Sequence, residues 1–179
     1  MIIQTERLML RKLGLIDAEA VFAYRSDVKV NRFLSKRPIS VHEVETMITS
    51  EIAPVFNQVG TWFQMGLFDL KTNAICGDIG VHFIDTEQVE LGYTLAASYQ
   101  GKGLATEALS ALIDMLFDEL AKHRIIASID PRNEPSIRLM ERLGFRKEAH
   151  FHRSIFMHGE WTDDVIYAML QSEWKKTNK

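Results

Sequence analysis

Residues 89–130, VELGYTLAASYQGKGLATEALSALIDMLFDELAKHRIIASID, change character twice within 42 positions. VELGYTL (89–95) reads as a strand. The turn that follows carries Gly101 and Gly103 around Lys102, and from Leu104 the apolar positions Leu104, Ala108, Leu112, Leu116 and Leu120 recur every four residues. That spacing predicts a long helix covering a sheet. RIIASID (124–130) is a short apolar strand, so the stretch is a strand, a crossover helix and a second strand. Such a unit is expected to be a right-handed parallel βαβ connection.

Working outward, TERLMLRKL (5–13) alternates Leu8, Leu10 and Leu13 against Arg7, Met9, Arg11 and Lys12, a half-buried strand. Asp17 opens a helix with Ala18, Val21, Phe22 and Tyr24 at helical spacing. Ser40 caps a second, with Glu43 completing a capping box and Val44, Met47, Ile48 and Ile52 as its apolar stripe. From Thr61 the period falls to two. TWFQMGLFDL and AICGDIGVHFI, separated by Lys71-Thr72-Asn73, predict a hairpin. Downstream, NEPSIRLMERLG predicts a helix ended by Gly144. FRKEAHFHRSIF and DVIYAMLQSEW then predict a closing strand pair around the His158-Gly159 turn. The fold class expected is α+β (mixed α/β), with helices on both faces of one sheet.

The composition narrows the function classes. With 179 residues, 46 % apolar and 25 % charged, and no low-complexity linker, the expectation is one domain over residues 1–179. A net charge of −3 argues against general nucleic-acid binding, which depends on accumulated Lys and Arg. No window approaches a membrane span of roughly 20 apolar residues. The single cysteine, Cys76, has no disulfide partner, and MIIQTERLMLRK lacks the apolar core of a signal peptide, so a cytoplasmic location is expected.

Amides at a helix N-terminus carry partial positive charge, and glycines let a phosphate approach without Cβ atoms in the way. Two glycines alone are more often a bare turn. A P-loop would need glycine at position 96 and Ser or Thr after the lysine, where the chain has Ala96 and Gly103. A dinucleotide fingerprint would need Gly or Ala where Thr106 stands.

Gln100-x-x-Gly103-x-Ala105, however, resembles the Q/R-x-x-G-x-G/A pyrophosphate loop of the GNAT superfamily of N-acetyltransferases. TERLMLRKL, ELGYTL, TEAL and NEPSIRLMERLGF occur in the order and spacing of its RimJ/RimL-type, ribosomal-protein N-acetyltransferase branch, across nearly the whole chain. The resemblance implies a GNAT-like fold, with a mostly antiparallel sheet of about six or seven strands and about four helices on its two faces. It also implies acetyl-CoA as acyl donor in a cleft between two splayed parallel strands. The pyrophosphate would lie on Gln100, Gly101, Lys102, Gly103, Leu104 and Ala105, and the pantetheine arm along the backbone of Leu91, Tyr93 and Leu95. Asn133 and Ser136 would border that arm.

For catalysis the resemblance points to Glu90 as general base, acting directly or through water, and to Ser136 as the group that hydrogen-bonds or protonates the leaving thiolate. Read as residues alone, Glu90 is equally a solvated strand carboxylate, and capping explains Asn133 and Ser136. Cys76, in an apolar run, reads as structural, which leaves direct transfer in a ternary complex. His150 and His152 alternate along a strand with no Cys or carboxylate motif beside them, and His158 lies in a turn, so no metal is expected.

The loop SDVKVNRFLSKRPIS carries Lys29, Arg32, Lys36 and Arg37 with Phe33 and Leu34, and by the resemblance borders the acceptor cleft, with Trp62 and Phe63 as further candidates for its lining. The acceptor expected is a protein or peptide N-terminal amine. The alternatives are a small-molecule amine or a non-catalytic acyl-CoA-binding sensor. Neither nucleic acid nor membrane is expected as a partner, and a homodimer is left open.

Overall fold

A computed structural model describes residues 1–177. Its strands form one eight-stranded sheet. They are β1 (Ile2–Gln4), β2 (Leu8–Lys12), β3 (Thr61–Asp69), β4 (Ile75–Phe83), β5 (Gln88–Leu95), β6 (Arg124–Ile129), β7 (Arg146–Met157) and β8 (Glu160–Leu170). The helices are α1 (Ala18–Arg25), α2 (Val41–Thr46), α3 (Leu104–Asp114), α4 (Glu134–Arg142) and α5 (Gln171–Thr177). The spatial order is β1-β2-β3-β4-β5-β6-β8-β7. Every pairing is antiparallel except β5 with β6, the strands on either side of the glycine turn and α3.

Alternation along the strands assigns the two faces. Phe63, Met65 and Leu67 of β3, Ile79 and Val81 of β4, and Val89 and Leu91 of β5 join the apolar stripes of α3 and α4 in the larger core. Phe68 faces the other way and packs with Leu13, Val21, Tyr24, Val44 and Ile48 under α1 and α2. Burial of this apolar surface is what holds both helical layers to the sheet.

On the α1 side a charge is buried as well. The fully buried Asp78 carboxylate of β4 accepts from Arg25 Nε (2.8 Å) and Nη2 (2.6 Å), from Gln64 Nε2 (2.7 Å) and from the Tyr24 hydroxyl. Burial alone would pull the Arg25 pKa down, but the Asp78 charge and its hydrogen bonds override that and raise it.

Two elements differ from the sequence expectation. β1 is three residues long, too short to show a period, and the strand expected over DVIYAMLQSEW ends at Leu170. Tertiary contacts turn the remainder into α5. The Gln171 amide donates to the Phe117 carbonyl at 2.5 Å, and Trp174 Nε1 donates to Asp114 at 2.7 Å. Among the described residues, no helix is long and apolar enough to cross a membrane.

Candidate active site

β5 and β6 pair through only three residue pairs, Gln88↔Arg124, Val89↔Ile125 and Glu90↔Ile126. Both strands continue, to Leu95 and Ile129, and they part after Glu90. Along its opposite edge β5 stays paired to β4 as far as Leu95. The edge of residues 91–95 that faces the gap therefore offers backbone donors and acceptors to an extended ligand.

A cleft of about 440 Å³ opens from this gap on the α3–α4 side of the sheet. Tyr93, Thr94 and Leu95 form one wall, Gln100, Gly101, Gly103, Leu104, Ala105 and Thr106 the end, and Asn133, Pro135, Ser136, Arg138, Leu139 and Arg142 the opposite wall. Lys29, Val30, Phe33 and Leu34 close the rim.

The glycine turn is shaped for its place. Gly101 and Gly103 have φ of 73° and 76°, left-handed values that strain any residue with a Cβ. Gly103 is also the N-cap of α3, so the first turn of that helix has no side-chain cap. The neighbouring helix shows the contrast. Asn133 Oδ1 accepts from the Ser136 N–H at 3.4 Å, which closes the N-terminus of α4 from within. Of the two helix ends at the cleft, α3 is the one whose amides lack a side-chain acceptor.

The turn is braced from both sides. The Gln100 side chain donates to the Leu95 carbonyl at 2.9 Å, and Arg7 Nη1 donates to the Lys102 carbonyl at 2.9 Å. Arg7 also holds Glu107 in the first turn of α3, by Nε at 2.6 Å and by its own N–H at 2.8 Å. Burial would raise the Glu107 pKa, but hydrogen bonds from Thr5 and Arg7 outweigh it and lower it. The open α3 terminus, the two glycines and the cationic Lys29, Arg138 and Arg142 form a donor set that fits the phosphates of an acyl-CoA.

The opposite face of the same strands carries a second set of groups. Trp62, His82 and Glu90 lie in one cross-strand row, Trp62↔His82 and His82↔Glu90. His82 Nδ1 is 3.4 Å from Glu90 Oε2, and the Trp62 and His82 rings stack at 4.9 Å with planes 12° apart. The Trp62 ring lies across Gly80, where an added Cβ would meet it at 3.1 Å. Glu90 is thus the last paired residue before the strands part, flanked by an exposed aromatic floor.

Residues 7–146 match the family model described as acetyltransferase (GNAT) domain. The chain belongs to the GNAT acetyltransferases. It is 32 % identical over 176 residues to the uncharacterized N-acetyltransferase YnaD of Bacillus subtilis, covering 96 % of this chain and 98 % of the relative. It is 34 % identical over 122 residues to the [ribosomal protein uS5]-alanine N-acetyltransferase of Escherichia coli, covering 66 % and 63 %. A crystal structure of a GNAT-family acetyltransferase from Bacillus anthracis superposes with a TM-score of 0.85 at 32 % identity, covering 97 % of this chain and all of the other.

Within this GNAT fold, most of the residues singled out from the sequence meet at the cleft. Tyr93, Leu95, Gln100, Gly101, Gly103, Leu104, Ala105, Asn133 and Ser136 line it. Three do not. The Leu91 side chain is buried in the core, so only its backbone faces the gap, and Lys102 places its ammonium 5.4 Å from the Tyr99 ring centre, outside the lining. Glu90 stands at the fork, on the other face. Of the acceptor-side candidates, Trp62 is exposed, whereas Phe63 is core, edge-on to Phe56 at 5.0 Å. Lys36 is paired with Glu51 at 3.0 Å and Arg32 lies over Phe33.

Sequence reasoning missed His82, Thr106, Arg138 and Arg142. Arg138 and Arg142 stand one helical turn apart on α4, a spacing visible in the sequence, but only the packing of α4 beside α3 brings them to the cleft. His82 meets Glu90 through strand register. Tyr93 adds a further polar group. Burial pushes its phenol up to about 12, so it stays a neutral donor at physiological pH, and its hydroxyl donates to the Ser136 carbonyl at 3.4 Å.

Proposed function

We propose that this GNAT enzyme transfers the acetyl group of acetyl-CoA to the α-amine of a protein or peptide N-terminus, directly, within a ternary complex. The parting of β5 and β6 beside Glu90 carries this reading, because it joins the phosphate-holding cleft on one face to the Trp62-His82-Glu90 floor on the other. Acetyl-CoA, when bound, supplies an activated thioester.

The chain's own groups divide the remaining work. Amides of Gly101, Gly103, Leu104 and Ala105 hold the pyrophosphate, with Gln100 fixing the loop and Lys102 adding charge at its margin. Backbone groups of Leu91, Tyr93 and Leu95 align the pantetheine arm and polarise the thioester carbonyl, and Asn133 borders it. Glu90, held by His82, takes a proton from the incoming amine directly or through one water. The Ser136 hydroxyl hydrogen-bonds the departing thiolate, which takes a proton from water to leave as the thiol, while Glu90 returns the amine's proton to solvent.

An α-amine has a pKa near 8 against about 10.4 for a lysine side chain, so a partly exposed carboxylate suffices as its base. The Escherichia coli relative, named for an alanine of a ribosomal protein, supports the same acceptor class.

The deciding experiment measures thiol release from acetyl-CoA with peptides bearing free N-terminal Ala or Ser, the same peptides blocked at the N-terminus, and small amines including spermidine. Turnover with free-amine peptides that blocking abolishes is the expected result. Turnover with small amines alone replaces the acceptor class. Acetyl-CoA binding without turnover on any acceptor overturns the assigned catalysis.

A further inference from the structure

His150 and His152 of β7 meet a carboxylate across the ladder. His150 is opposite Val165 and Phe151 opposite Asp164, and pairing resumes only at Ile155 opposite Thr162. Residues 152–154 therefore bulge opposite Asp163, with Arg153 in the left-handed region at φ 48°. The Arg153 N–H donates to Asp163 Oδ1 at 2.9 Å. Asp163 Oδ2, the other oxygen, lies 2.8 Å from His150 Nε2 and 3.1 Å from His152 Nδ1, and one donor atom from each of the three residues falls within 4.8 Å of the others.

We propose that His150, His152 and Asp163 bind a late first-row divalent metal ion, Zn²⁺ foremost, at a site separate from the acetyl-transfer cleft. Two imidazole nitrogens and one carboxylate oxygen suit Zn²⁺, Ni²⁺ or Cu²⁺, whereas Mg²⁺ and Ca²⁺ call for larger oxygen-only sets. Zinc bonds of about 2.0–2.2 Å place tetrahedral donors about 3.3 Å apart, so the two histidine–carboxylate contacts need to open by about half an ångström or less and the two imidazole nitrogens, now within 4.8 Å, to settle at the same spacing.

The side chains can make that adjustment. The His152 side chain is 80 % exposed, and those of His150 and Asp163 are 34 % and 30 % exposed. The bond from Arg153 to Oδ1 orients the carboxylate and leaves Oδ2 towards the ion, the outer support a ligating carboxylate needs. Three protein ligands leave the fourth position to water. Bound there, the ion ties the edge strand β7 to β8 across the interruption in their ladder.

The test uses the full chain without an affinity tag, stripped of metal with a chelator. It is titrated with ZnCl₂ by calorimetry and with CoCl₂ by visible absorption, with circular dichroism of every variant. One saturable equivalent, cobalt d–d bands of nitrogen and oxygen coordination, and a thermal midpoint that rises with Zn²⁺ are expected. Affinity falls at least tenfold in His152→Ala and in His150→Gln, while acetyl-CoA binding is unchanged. Absence of saturable binding overturns the proposal. So does binding that survives intact in whichever variant retains the wild-type spectrum. Because neither readout requires an acceptor amine, failure here leaves the proposed acetyl transfer standing, and the reverse also holds.

Discussion

Glu90 shows how much one residue's role depends on what its neighbours do. Its 3.4 Å contact with His82 and its place in the last β5–β6 pair set its carboxylate at the fork, where we propose it acts as general base. Glu90→Gln keeps the shape and removes the basicity, so kcat is expected to fall by about 10²- to 10⁴-fold, with the KM for acetyl-CoA unchanged. An unaltered kcat in steady-state assays would remove Glu90 from the mechanism.

Cys76 behaves oppositely. Burial, reinforced by the Asp69 charge, pushes its thiol up to about 11, so at neutral pH it is almost entirely protonated. Native protein is expected to resist iodoacetamide at pH 7.5, and Cys76→Ala to retain wild-type kcat. Rapid alkylation read by mass spectrometry would contradict this. The sequence placed Cys76 correctly because an apolar run announces burial. It could not show His82, since a cross-strand partner is written in the register and not in the spacing.

At the level of elements, the two helices facing the cleft begin differently, and the difference is testable. Asn133→Ala removes a cap and is expected to destabilise the protein by about 1 kcal/mol, read from denaturant midpoints. Gly103→Trp adds strain at φ 76° and places an indole among the amides at the start of α3. Acetyl-CoA affinity is expected to drop more than tenfold, over about 1.4 kcal/mol, in a calorimetric titration of folded protein. Binding that persists would make the turn a connection and nothing more.

Most elements were legible for a physical reason. Leu104, Ala108, Leu112 and Leu116 repeat because one side of α3, and of the π-helical turn Met115–Glu119 that continues it, is buried, and β3 and β4 alternate because their two sides meet different surroundings. The parts that stayed hidden owe their form to distant residues. α5 depends on Asp114 and Phe117, and the metal-ligand set depends on a bulge that brings Asp163 beside two histidines.

Across the whole molecule, charge is invested at a few buried points. Asp78→Ala leaves Arg25, 15 % exposed, without its counter-ion and is expected to cost about 3–5 kcal/mol in equilibrium unfolding. Three further carboxylates confer acid sensitivity. Burial would raise Asp17, Glu107 and Asp130, but hydrogen bonds chiefly from Arg11, from Thr5 and Arg7, and from Arg132 win and lower all three. A carboxylate with a lowered folded pKa contributes stability above its unfolded value, near 4, and loses that contribution as pH falls through the folded value. Unfolding midpoints are thus expected to hold at neutral pH and to fall as the solution is acidified below about pH 4. Glu107→Gln should flatten part of that decline while lowering neutral stability.

The three residue pairs that join β5 to β6 give the sheet an unusual mechanical character. Five strands lie on one side of that seam and three on the other, so this short ladder is a fold line between two parts of the sheet that the core under α3 and α4 also joins. An extended ligand lying along residues 91–95 would complete the missing rungs and stiffen the fold line. The donor substrate then acts as part of the scaffold, and amide hydrogens of Leu91–Leu95 should exchange more slowly with it bound than any change in the amine acceptor could make them.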